Sequence, residues 1–64
     1  MYDAAIEIFK INVDLYPGSA GVYDSLGEAY MKNGQKDLAA NNYEKSLQLN
    51  PQNNNAVNML KQLK

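Results

Sequence analysis

Apolar residues in this chain recur three and four positions apart in four separate runs, the period of a helix buried along one face. The first run carries Ala5, Ile6, Phe9 and Val13, and the second Tyr23, Leu26 and Tyr30. The third carries Ala39 and Tyr43, and the last Val57 and Leu60. Between them stand residues that interrupt helices. Tyr16-Pro17-Gly18 ends the first run, because the residue before a proline leaves the helical region. Asn33-Gly34 separates the second and third, with Gly34 suited to a left-handed turn. Asn50-Pro51 closes the third. The pattern predicts an all-α chain with helices at about residues 2–15, 20–33, 37–49 and 54–64. Ser19 is the expected N-cap of the second helix, and Asn53 or Asn54 that of the last. Asp37 suits the positive end of the third helix.

Gly27 lies inside the second helical run, where glycine costs about 1 kcal/mol relative to alanine. That cost predicts a close approach by a neighbouring backbone, and Ala39, small and on the opposing helix, is the expected partner. Tyr23, Leu26, Tyr30 and Tyr43 then fill the space around a helical hairpin.

The order Tyr23-x-x-Leu26-Gly27-x-x-Tyr30, then Ala39-x-x-x-Tyr43, then Pro51 resembles the tetratricopeptide repeat of about 34 residues. The resemblance covers residues 20–53. It departs from the family pattern at Tyr23, where tryptophan is usual, and at Ser46, where alanine is typical. A shift of about 34 residues sets Asp3 on Asp37, Ala5 on Ala39, Phe9 on Tyr43, Leu15 on Leu49 and Pro17 on Pro51. Residues 1–19 are therefore expected to be the second helix of a truncated repeat, with the chain cut at its N-terminal side. The same shift sets Val57 on Tyr23, Leu60 on Leu26, Lys61 on Gly27 and Lys64 on Tyr30. Lysine cannot occupy a position pressed by another helix, so residues 54–64 are expected to cap a genuine C-terminal end with a polar outer face. The layout is also similar to short tetratricopeptide tails at the C-termini of some bacterial hydrolases, including relatives of serine β-lactamases. That resemblance implies a non-catalytic tail whose Ile8/Ile11 stripe docks on an enzyme body.

Composition narrows the chemistry. The 64 residues contain no cysteine and no histidine, which removes thiol chemistry and the usual metal ligand and neutral-pH base. No cofactor or metal is expected. The net charge of −1 gives no electrostatic reason to expect nucleic acid or an anionic membrane. Met1-Tyr2-Asp3 does not resemble a signal peptide, and no apolar run approaches the ~20 residues of a membrane span. So short a chain hides only about 60% of its unfolded surface, which favours a partner.

Two surfaces are candidates for that partner. In the family, the first helix of each hairpin lines an inner groove that takes extended peptides or helices. Carried over, the groove positions are Gly21, Asp24, Ser25, Glu28, Met31 and Lys32, then Asn55, Asn58, Met59 and Gln62. Asp24 and Glu28 favour a basic or amide-rich peptide and disfavour capture of a C-terminal carboxylate. The second surface is the stripe of Ile8, Ile11 and Leu15, whose counterparts one repeat later are Asn42, Lys45 and Leu49. A helix apolar on nearly all sides is normally buried on more than one. A protein or peptide partner, or a homodimer made helix to helix through this stripe, is the expectation. Asp24 and Glu28 also sit four residues apart as a carboxylate pair, but with no nucleophile, base or metal cluster around them no enzymatic role is expected.

Overall fold

The structure, a computed structural model, describes residues 3–63. Helix α1 spans Asp3–Leu15, α2 Ala20–Lys32, α3 Lys36–Leu49 and α4 Asn54–Leu63, and no strand occurs among the described residues. The four-helix expectation holds. The third helix begins at Lys36, ahead of the expected Asp37, and the second ends at Lys32 rather than Asn33. The outermost expected helix ends, Tyr2 and Lys64, lie outside the described residues.

The punctuation read in the sequence makes the turns. Ser19 N–H donates to the Tyr16 carbonyl at 3.1 Å, and Asn53 N–H to the Asn50 carbonyl at 3.1 Å. Each is a four-residue turn with proline at its second position, where the fixed φ of the ring is already correct. Gly34 has φ +82°. There the Gln35 N–H reaches back to the Tyr30 carbonyl (2.9 Å) and the Gly34 N–H to Met31 (3.1 Å). This pair of bonds satisfies carbonyls that the end of α2 would otherwise leave unpaired.

Consecutive helices pack on one another, α1 on α2, α2 on α3 and α3 on α4. The Cα envelope measures 28 × 25 × 13 Å. Its thin dimension fits two layers of helices, Cα cylinders of about 2.3 Å radius with axes about 8–10 Å apart, so the core is the single seam between them. Ile6, Leu26, Ala29, Tyr30, Ala39, Tyr43 and Ala56 fill it, flanked by half-buried Phe9, Val13, Met31, Leu47, Met59, Leu60 and Leu63. Tyr23, expected among the space-filling rings, is half-buried at the edge with the Lys45 ammonium 5.9 Å from its ring centre.

Three sequence expectations change. A Cβ built on Gly27 would stand 3.1–3.2 Å from three atoms of the Tyr43 ring. Glycine at 27 therefore makes room for an aromatic face rather than for the backbone at Ala39. Ser19 occupies the N-cap of α2, but its side chain makes no capping bond. Ser46, an apparently mild departure, is fully buried and joins three helices. Its Oγ donates to the Ala20 carbonyl (2.9 Å) and accepts from Asn53 Nδ2 (2.8 Å), while Asn53 Oδ1 accepts the Ala56 N–H (3.3 Å). A hydroxyl with a donor on one side and an acceptor on the other is satisfied in the core, so burying it carries no unpaired polar group.

Candidate functional site

Helices α2 and α4 diverge over α3 and leave a cleft of about 280 Å³ lined by Glu28, Met31, Lys32, Tyr43, Asn55 and Met59. Tyr43 reaches it from α3, because Gly27 lets the ring lie flat against α2. A second cleft of about 210 Å³ continues on the other side of α2, lined by Ala5, Phe9, Ser25, Glu28, Ala29 and Lys32. Both volumes fall below the ~300 Å³ at which pockets begin to enclose small molecules. They suit single side chains of a longer segment. Glu28 and Lys32 border both clefts, and their ion pair at 2.9 Å forms the ridge between them.

The charge on this surface is unevenly placed. Asn55 Nδ2 donates to both carboxylate oxygens of Asp24, at 3.2 and 3.1 Å, tying α4 to α2. The Tyr43 hydroxyl is pushed up to about 12, by burial first and then by the negative charges of Asp24 and Glu28.

Of the groove residues expected from sequence, Glu28, Met31, Lys32, Asn55 and Met59 line the α2–α4 cleft, and Asp24 is bound to its wall through Asn55. Ser25 lines the neighbouring cleft. Gly21, Asn58 and Gln62 are exposed and line neither. Two aromatic floors, Tyr43 and Phe9, were read from the sequence only as packing residues. The signal was available: they coincide under the repeat shift, so the same position opens each cleft. Ile8, Ile11 and Leu15 lie on the far side of α1 and are well exposed. Among the described residues, no helix is long and apolar enough to cross a membrane, and no group of three acidic, cysteine or histidine side chains is placed to hold a metal.

The α2–turn–α3 hairpin, with a small residue beneath an aromatic ring and a proline at its close, coincides with a family model. The model, described as tetratricopeptide repeat, matches residues 20–53. The chain belongs to the tetratricopeptide repeat family. No curated protein matches it. Tetratricopeptide repeats generally mediate contacts between proteins and are typically non-catalytic. The matched stretch ends on Asn53, the residue that links the hairpin to α4 through Ser46.

Proposed function

We propose that this tetratricopeptide chain is a non-catalytic interaction module that holds an extended peptide across the α2 face, with a basic side chain of that peptide in the α2–α4 cleft. The observation that carries the reading is the cleft itself, where Glu28, Met31 and Met59 line a hollow over Tyr43 and Asp24 is held against its Asn55 wall. A lysine or arginine entering there would meet the Glu28 carboxylate, with Asp24 held nearby on the Asn55 wall, and charge-assisted hydrogen bonds are stronger than neutral ones. Met31 and Met59 supply adaptable apolar walls for its stem. In this reading α1 serves as the second helix of a preceding half-repeat, and α4 as a cap whose outward Asn54, Asn58, Lys61 and Gln62 face solvent.

The test uses two labelled peptides of about ten residues that differ only in a central lysine or glutamate. Fluorescence anisotropy should show binding of the lysine peptide alone, and Glu28→Lys should weaken it by about tenfold or more. Equal binding of both peptides, or no effect of the substitution, would remove the cleft from the proposal.

A further inference from the structure

Helix α1 turns a second apolar face away from the hairpin. Ala4, Ile8, Ile11 and Leu15, spaced four, three and four apart, are all exposed, Ile8 by 58%, Ile11 by 57% and Leu15 by 65%. Tyr16, 61% exposed, extends the patch beyond the helix end. Such spacing forms the seam of a two-helix contact. Contiguous apolar surface of this kind marks an interaction site more often than isolated exposed residues do.

Continuation of the repeat stack does not account for it. One repeat later the same positions are Asn42, Lys45 and Leu49 on α3, a helix with α2 on one side and α4 on the other. With both neighbours in place, Lys45 stays exposed, Leu49 stays 37% exposed and Asn42 is only half-buried. A helix set against α1 as α2 is set against α3 would leave the stripe at the surface. The Ile8/Ile11/Leu15 seam needs a body outside the stack.

The charges beside the seam choose among candidates for that body. Glu7 and Asp14, seven residues apart, border one edge, and Ala5 and Asn12 border the other. Lys10 is displaced from the seam. It stands 3.6 Å from Glu7 and borders, with Glu7 itself and Tyr30 of α2, the hollow that also holds Asp3, Ile6, Gln35 and Leu38. In an antiparallel pairing of two copies, Ile8 meets Ile11 well, but Glu7 of one copy comes beside Asp14 of the other, twice. A helix with basic residues along that edge meets the same seam with attraction in place of repulsion.

We infer that the outer face of α1 docks an amphipathic helix of another protein, one with apolar residues at heptad spacing and lysine or arginine along the edge that lies against Glu7 and Asp14. The inference takes from the proposed function only the register of α1 with α3, and it does not use the cleft.

The experiment titrates the full chain with two designed helical peptides of about 18 residues, both with leucine at the seam positions. One carries lysine along the flanking edge and the other glutamate. The lysine-edged peptide should bind at least about tenfold more tightly, and the preference should shrink as salt is raised. Ile8→Lys/Ile11→Lys should abolish binding, Glu7→Lys/Asp14→Lys should reverse the preference, and Glu28→Lys in the cleft should change nothing. Circular dichroism confirms that each variant is folded, which is expected because the stripe residues and both edge carboxylates are exposed. Equal binding of the two peptides, binding that survives the isoleucine changes, or sedimentation showing a stripe-dependent dimer that excludes both peptides would each overturn the inference. Loss of lysine-edged binding in Glu28→Lys alone would point to the cleft instead.

Discussion

The two proline turns, Tyr16–Ser19 and Asn50–Asn53, share a backbone hydrogen bond of the same length and the same proline position, yet they fasten the helices beyond them differently. Asn53 caps α4 and, through Ser46, reaches the carbonyl of Ala20 at the start of α2. Ser19, its counterpart in register, makes no side-chain cap. The α4 end is thus interlocked with the central hairpin through side-chain hydrogen bonds, while the apolar hold on α1 among the described residues comes from buried Ile6 and half-buried Phe9 and Val13. The lesson is that a repeated backbone turn does not imply a repeated anchorage. A single hydroxyl placed where the family pattern has alanine decides which terminal helix is fixed.

The largest test attacks the ring at the centre of the hairpin. Tyr43→Ala removes a ring that is 1% exposed and braces Gly27. The loss should be about 3–5 kcal/mol, enough to unfold so small a domain, as read by urea denaturation. Next in size is a pH effect. The Tyr43 hydroxyl is held up to about 12 against 10.0 for the unperturbed group. Above pH ~10 the unfolded chain gives up this proton while the folded chain keeps it, so the unfolded state binds fewer protons and stability falls as pH rises. The contribution is complete below pH ~10 and is lost up to about pH 12, on the order of 2–3 kcal/mol. Tyr43→Phe should flatten that part of the pH profile relative to wild type.

Gly27→Ala sets helix propensity against packing. Alanine gains about 1 kcal/mol as a helix former, but its Cβ would stand 3.1–3.2 Å from a ring that is 1% exposed and would have to shift. Overpacking of this kind costs about 1–3 kcal/mol, so a net loss of stability is expected; a more stable variant would show that the ring shifts freely. Asn53→Ala should then cost about 1–2 kcal/mol, and Ser19→Ala only a few tenths, since no side-chain bond is lost. Equal costs would erase the difference between the two turns. Hydrogen exchange sharpens the same contrast: amides of α1 should open at lower free energy than those of α3. The smallest effect belongs to Ile8→Lys/Ile11→Lys, expected to leave the unfolding midpoint within about 0.5 kcal/mol of wild type in the absence of a partner.

Much of the fold was legible because proline and glycine act locally. Pro17 and Pro51 fix their own φ and Gly34 alone can take the left-handed turn, so helix ends follow from them to within a residue. Inside and outside faces were legible for a similar reason, since helical period alone separates Ile6, Phe9 and Val13 from Ile8, Ile11 and Leu15. What stayed hidden depends on residues far apart in the chain. Ser46 bonds a carbonyl 26 residues away and Asp24 an amide 31 residues away. No spacing rule relates such pairs. Gly27 was read rightly as a site of close approach and wrongly as to its neighbour, because a missing side chain shows that space is needed but not for what. At the candidate cleft the sequence supplied the carboxylates and methionines on the walls, whereas the aromatic floor emerged once the hairpin was assembled.

The Ser46 hydroxyl has a mechanical corollary. Because Asn53 and the Ala20 carbonyl share it, tension applied at the C-terminal end is not absorbed at the Asn50 turn but is relayed across the bundle to the first residue of α2. Peeling away the last helix therefore loosens the root of the hairpin as well, and a pull on the end of α4 is felt at the start of α2.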